Sequence, residues 1–401
     1  MLPTFSETSL ISPFGGKLVN LMVEPEHRVE TLAYAKSLPH LPISPRVQYD
    51  LELLAVGAFS PLERFMGKAD YQRTLTEMRL ADGSLYPIPV TLPVDEAALP
   101  HATKAIALTT LSGQILAVME IEDLYPYDKK RESRLVFGTT DPKHPFVAEM
   151  AGWGGVNASG SLRVLDLPFH RGLGDLCKSP AQVRACLATM GLEKVVAFQT
   201  RNPMHRIHEE LTKRAAAEIG GVLFLHPVVG QTKPGDVEQA TRTQIYQVLV
   251  ERYYDPSRTM LSLLPLAMRF AGPREALWHA IIRRNYGATH LIIGRDHAGP
   301  GKDSRGEPFY EPYEAQLMFE QYAQEIGVQP LEFKELVYLA AEKRYEEVGR
   351  VPPGAEVFSI SGTQVRDEYL AQGRLLPEWF TRPEVAEILY RSAAGSVRKI
   401  E

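Results

Sequence analysis

A chain of 401 residues exceeds one ordinary core and implies two or three domains. Apolar residues make up 44% and charged residues 23%, a globular composition that excludes a disordered chain. The formal net charge of -5 excludes a global basic field for nucleic acid, so any anion site must be local. The only cysteines, Cys177 and Cys186, are too few for a disulfide framework and form no zinc-type CxxC pair. The start, MLPTFSETSLISPFGGKLVN, lacks the charged and then apolar pattern of a signal peptide. No apolar run approaches the roughly 18 residues of a membrane span. These features imply a soluble, cytoplasmic protein.

Up to about residue 168 the chain carries short alternating segments between turn residues. RVQYDLELLAVGAFSPLERFMG (46–67) has helical spacing that ends in a Gly/Ser/Pro turn. DGSLYPIPVTLPV (82–94) and SGQILAVMEIEDLYPYD (112–128) read as strands bounded by Gly, Pro and Asp. This is a mixed, strand-rich domain. From about residue 169 the rhythm changes: KVVAF (194–198), GVLFLHPVV (221–229) and THLIIG (289–294) are short buried-strand runs. Helical patterns such as HRIHEELTKRAAAEIG and PREALWHAIIRRNYG lie between them. Strands alternating with helices predict a parallel sheet with crossover helices. After about residue 330 a smaller unit contains VFSISGTQVRDEYLAQG and PEWFTRPEVAEILYRS. The expected division is therefore 1–168, 169–330 and 331–401.

The strand 194–198 feeds a loop, QTRN, and the spacing predicts a helix from Pro203 with Asn202 as its cap. Ligands of open parallel sheets bind at the carboxyl ends of strands, where such loops sit. A helix start there would also offer N–H groups to an anion. His205 and His208 are three apart and share one side of that helix, while Ile207, Leu211 and Ala215 form a stripe for the sheet. Arg201 and two imidazoles thus concentrate potential positive charge at one strand end. A surface His pair would show the same spacing, and no third zinc ligand is evident nearby. A second strand end, THLIIGRDHAGPGKDS (289–304), carries Arg295, Asp296 and His297 before a Gly-rich turn. It is not a P-loop, since Pro300 follows Gly299 where Lys is required. The third stretch, SISGTQVRDEYLAQG (359–373), reads as a helix entry at Ser361, Gly362 and Thr363 with Arg366 one turn inside.

Together these stretches resemble the ATP sulfurylase (sulfate adenylyltransferase) family. QTRNPMHRIH is similar to that family's Q-x-R-N-P-x-H-x-x-H signature, and GRDHAGPG to its second signature. LISPFGGKLV, LELLAVGAFSPLERFM and DGSLYPIPVTL resemble N-terminal blocks, and AGPREALWHAIIRRNYGATHLIIGRDHAGPG the catalytic centre. SISGTQVR and PEWFTRPEVAEIL resemble the C-terminal portion, so the likeness runs nearly end to end. It implies an α/β fold: an N-terminal PUA-like β-rich domain, a Rossmann-like nucleotidyltransferase domain and a small C-terminal domain. The PUA likeness is not read as RNA binding, given the acidic chain.

The implied reaction converts ATP and sulfate to adenosine 5'-phosphosulfate and pyrophosphate, by attack of a sulfate oxygen on the α-phosphorus. By motif position, Gln199 and Arg201 would hold sulfate with the backbone N–H of Ala298. Thr200, Arg201 and Asn202 would occupy active-site positions, and His205 and His208 would bind ATP phosphates. Gly294, Arg295, Asp296 and His297 would line the nucleotide, and Leu336 or Val337 would meet the adenine. Mg²⁺ would accompany ATP, and a homodimer is the expected assembly. Three departures stand out. Phe14 replaces the His of many relatives' PHGG. KDSRGEPFYEPYEAQ (302–316) has no Cys where some relatives carry a zinc site, so no structural zinc is expected. With no P-loop in its 401 residues, no fused kinase domain of the kind some relatives carry is expected in this chain. The rivals are an adenylyltransferase for another acceptor and a non-catalytic nucleotide-binding relative.

Overall fold

The computed structural model describes residues 10–397, apart from 100–102, 169, 171, 232, 234 and 235. The reading of the chain's first nine residues lies outside that range. Helix α1 (Arg28–Ser37) leads into strand β1 (His40–Pro42) and helix α2 (Pro45–Ala55). Helix α2 starts where the Ser44 side chain accepts the Val47 N–H and Pro45 takes the first helical position, which needs no N–H. Then follow α3 (Lys68–Glu77), β2 (Leu92–Val94), β3 (Ala105–Thr109) and β4 (Ile115–Pro126). Helices α4 (Lys129–Phe137) and α5 (Pro145–Met150) precede β5 (Val156–Val164). Among the described residues these strands form one sheet in the order β1-β3-β4-β5-β2, antiparallel except where β1 meets β3. The strand expected over 82–94 contracts to β2. Pro87 and Pro89 have no N–H to give a ladder, so the approach to β2 runs as loop.

The second sheet decides where function can sit. After α6 (Pro180–Thr189) come β6 (Val195–Phe198), α7 (Arg206–Ile219), β7 (Val222–Leu225), α8 (Gln239–Tyr253) and β8 (Thr259–Leu261). Next are α9 (Gly272–Asn285), β9 (His290–Ile293), α10 (Glu314–Ile326) and β10 (Gln329–Glu332). The order is β10-β9-β6-β7-β8, parallel throughout. From the central β6 the chain winds one way through β7 and β8, then returns to the other side as β9 and β10. The carboxyl ends of β6 and β9 therefore flank a topological switch point. Alternate side chains divide between two cores, with Val195, Ala197, Phe224 and Ile293 on one face and Val196, Phe198, Leu223 and Ile292 on the other. The first face shares its core with the N-terminal sheet, and Phe14 joins it: its N–H donates to Asn285 Oδ1 at 2.8 Å.

The remaining strands, β11 (Leu336–Leu339), β12 (Arg344–Glu347) and β13 (Val357–Phe358), make a small antiparallel sheet ordered β12-β11-β13. Short helix α11 (Gly362–Gln364) opens with a Ser361/Gln364 capping box and continues as a π-helical turn through Leu370. Helix α12 (Pro383–Val397) buries Val385 and Leu389 in the second core.

Candidate active site

The loop leaving β6 is held by its own polar groups and by α8. Thr200 Oγ1 accepts the Asn202 N–H at 3.0 Å, Tyr246 donates its hydroxyl to the Asn202 carbonyl at 2.8 Å, and Arg242 donates to the Arg201 carbonyl at 2.9 Å. These bonds correct the expected helix start. Helix α7 begins at Arg206 with His205 as its cap, because the Asn202 carbonyl is taken by Tyr246 and Met204 is driven into the core. The stripe differs too: α7 buries Glu209, Thr212, Ala215 and Ile219, whereas Ile207 and Leu211 line the cleft. Its first N–H is not open to an anion either, since Arg206 N–H donates to the Phe380 carbonyl at 3.1 Å.

His205 and His208 both face the cleft, with ring centroids 6.0 Å apart. Withdrawal from water drives His205 down to about 3, with His208 adding to the effect, and it drives His208 down to about 4. Both rings are therefore neutral near pH 7, and the potential positive charge read from the sequence is not realised on them. They act as neutral hydrogen-bonding groups. His208 Nδ1 accepts the His205 N–H at 3.1 Å, which places the His208 proton on Nε2. His205 Nδ1 lies 3.1 Å from the hydroxyl of Thr381, 176 residues away, and its ring packs on Phe380 with centroids 4.4 Å apart. The segment carrying Thr381 is itself fastened: Arg382 reaches both oxygens of buried Glu209 at 2.7 and 2.9 Å.

Positive charge in the cleft comes from Arg201, Lys233, Arg295, Lys334 and Arg366. Arg201 lies 5.4 Å over the Phe270 ring and directs one guanidinium nitrogen to both oxygens of Asp236, at 2.6 and 2.7 Å. Burial, reinforced by Arg201, pushes the Lys233 ammonium below its ordinary range. Arg295 lies 3.3 Å from Glu335. In the loop after β9, Ala298 adopts a left-handed φ of 53°, unusual for a residue with a side chain. Gly299 beside it leaves room for the Asp296 carboxylate, which would have to move if a Cβ stood there, 1.8 Å from Oδ1.

Two adjoining cavities, of about 450 and 410 Å³, open between these loops and β11. Gln199, Thr200, Arg201, Asn202, His208, Gly294, Arg295, Asp296, His297 and Ala298 line the smaller, with Leu336. Arg201, Asn202, His205, His208, Leu336 and Val337 border the larger. Each of the residues expected to touch substrate thus borders one of these two adjoining cavities, whereas Phe14 and Ser361 border neither. Sequence reasoning missed Lys233, Asp236, Lys334, Glu335, Phe380 and Thr381. Asp236 and Lys233 sit in a turn between β7 and α8 without a recognisable spacing, and Thr381 is brought in only by tertiary packing. Among the described residues no group of three or more His, Cys, Asp or Glu side chains could hold a metal ion, and no helix is long and apolar enough to cross a membrane.

A cleft rich in cations and neutral donors at a switch point suits a polyanionic nucleotide, and the relatives agree. The ATP-sulfurylase family profile matches residues 174–392, and a PUA-like domain profile matches residues 11–167. This chain belongs to the ATP sulfurylase family. Sulfate adenylyltransferase of Schizosaccharomyces pombe is 48% identical over 363 residues, covering 89% of this chain and 74% of its own length. The protein of the same name from Eremothecium gossypii is 45% identical over 386 residues, covering 95% of this chain and 76% of its own. A solved hexameric APS kinase from Thiobacillus denitrificans superposes with a TM-score of 0.78 at 29% identity, over 95% of this chain and 68% of that one. The enzyme converts ATP and sulfate to adenosine 5'-phosphosulfate and pyrophosphate. Its architecture is accordingly a PUA-like N-terminal part followed by a nucleotidyltransferase part.

Proposed function

We propose that the loops after β6 and β9 together hold the two substrates of sulfate adenylyltransfer. The observation that carries this reading is the pairing of β6 with β9, which opens both loops onto one cleft at the switch point. Sulfate is held by Gln199, the Arg201 guanidinium and the Ala298 N–H. Gln199 lines the smaller cavity, where its amide N–H groups can donate to sulfate oxygens. Gly294, Arg295, Asp296 and His297 line the nucleotide, with Leu336 or Val337 against the adenine. Thr200 and Asn202 hold the shape of the loop around Arg201. Both substrates are anions, so their approach is opposed by Coulomb repulsion until fixed donors offset it. A sulfate oxygen then attacks the α-phosphorus as the bond to pyrophosphate breaks, with no covalent enzyme intermediate. His205 and His208 donate to phosphate oxygens where charge develops on the leaving group. Neutral imidazoles suit this role, since they donate through Nε2 without holding the product by a full charge.

Mg²⁺ accompanies the nucleotide in this reading. The single carboxylates at the cleft, one of them paired with Arg201, fit a cation that arrives on phosphate oxygens rather than one held in a protein cage. The proposed organisation is 1–168, 169–330 and 331–401, in a cytoplasmic homodimer without bound zinc. The decisive experiment is ATP formation from adenosine 5'-phosphosulfate and pyrophosphate with Mg²⁺, comparing wild type with Arg201→Ala. The variant should fold and lose on the order of 10²–10³-fold in turnover, the usual cost of removing a donor aimed at developing charge. An Arg201→Ala enzyme with normal turnover overturns the assignment.

A further inference from the structure

Behind the loop that follows β9 stands a histidine that the reaction scheme leaves unused. His279, in the middle of α9, is fully buried, as is Glu275 one turn before it. His279 Nδ1 is 3.0 Å from Nε2 of His297, and His279 Nε2 is 3.3 Å from Glu275 Oε1. Each carboxylate oxygen of Glu275 also accepts a backbone N–H at 2.9 Å, from Arg269 and from Ala271. Burial pushes the Glu275 carboxyl up, but His279 and these donors more than offset it, so the group stays ionised.

The carboxylate biases where the protons are. Its contact with Nε2 is a close charge contact and not an aligned hydrogen bond, but a carboxylate 3.3 Å away still favours the neutral tautomer of His279 with its hydrogen on Nε2 and a bare Nδ1. The nitrogen opposite, Nε2 of His297, must then be the donor. Fully buried His279 and partly buried His297 are both held towards their neutral forms by loss of water, which is consistent with one proton per ring. The anchored residue immediately precedes Ala298, whose left-handed backbone is strained and persists only where the surroundings hold it. The Ala298 carbonyl is tied in turn to the Gly272 N–H at 3.3 Å, at the start of the same helix α9.

We propose that His279, backed by Glu275, is a positioning residue for adenylyl transfer: it holds His297 with its proton on Nε2 and thereby fixes the 294–299 turn that brings Ala298 to the sulfate side of the cleft. The proposal rests on the reading of that turn as part of the substrate site. Its test uses the full chain with ¹⁵N-labelled histidine, and the variants His279→Leu and His279→Asn. Asparagine retains an amide oxygen near the place of Nδ1, and leucine keeps bulk without an acceptor. His297, identified by the signal lost in His297→Gln, should show the Nε2-protonated tautomer in wild type and in His279→Asn. His279→Leu should mix the tautomers and raise the KM for sulfate about tenfold, with His279→Asn recovering most of that loss. A wild-type His297 protonated at Nδ1 overturns the proposal even if the leucine variant does not fold. So does a folded His279→Leu enzyme with an unchanged KM for sulfate. The tautomer signal is independent of substrate roles: if Arg201→Ala also left the sulfate KM unchanged, the assignment of the sulfate site would have failed and not the histidine pair.

Discussion

Replacing Thr381 by valine probes the longest-range contact in the cleft. The Thr381 hydroxyl is fully buried, 3.1 Å from His205 Nδ1, and the imidazole is pressed against Phe380 at 4.4 Å. With the hydroxyl donating to Nδ1, the His205 proton sits on Nε2, as it does on His208. Valine removes that donor and leaves a nitrogen facing a methyl group. Loss of the bond itself is worth about 0.5–1.5 kcal/mol, and an unsatisfied buried nitrogen costs about 1–3 kcal/mol where water cannot replace the partner. His205 is only partly buried, so the lower half of those ranges applies, about 1–2 kcal/mol of catalytic loss. At tenfold per 1.36 kcal/mol this is about a five- to thirtyfold fall in kcat/KM. The fall should appear mainly in kcat if the His205 contact tightens in the transition state. Initial rates of ATP formation from adenosine 5'-phosphosulfate and pyrophosphate measure it, with a thermal melt to show that the fold survives. Thr381→Ser should return to within about twofold of wild type. A valine variant as fast as wild type, or a serine variant as slow as valine, would refute the reasoning.

Two further outcomes are expected. Asp236→Ala should lower kcat/KM more than Asp236→Asn, because an amide oxygen can still accept from the Arg201 nitrogen now held at 2.6 and 2.7 Å; steady-state rates with an alanine variant no slower than the asparagine variant would contradict this. Burial holds His205 at about 3 and His144, His208 and His279 at about 4, against about 6.5 for an unfolded imidazole. Between those values the unfolded chain binds more protons, so stability is full above about pH 6.5 and falls as the pH drops towards 4. Urea midpoints between about pH 7.5 and 4.5 should decline on acidification, and less steeply in His144→Gln; a flat or rising midpoint would count against the buried neutral rings.

The elements that build the cleft were legible in proportion to how far local chemistry determines them. Strands β6, β7 and β9 are buried on both faces of a parallel sheet and so read as short apolar runs. Edge strand β10, with the sequence QPLE and partial exposure, has no such run and went unread. The Asn202-Pro203 pair has the chemistry of a helix start but lost it to Tyr246, a competitor from another helix. Likewise the HxxH spacing placed both imidazoles together, but their neutrality depends on burial by Phe380 and its neighbours, which the local sequence does not contain. His279 was not singled out from the sequence, since only the fold shows that His297 faces it.

Strand β6 meets β9 with Val196 beside His290 and Ala197 beside Leu291. The two signature sequences, about ninety residues apart in the chain, are thus indexed to each other by backbone hydrogen bonds in the middle of the protein. A strand advances about 3.3 Å per residue and turns its side chains over at each step. Inserting one residue into β9 would carry the Arg295–Ala298 turn past Arg201 by that distance and exchange the strand's two core faces. Catalytic alignment is sensitive to displacements near 1 Å. The spacing that evolution is least free to alter here lies inside the strands, where no substrate is touched, because their ladder acts as the ruler for the cleft.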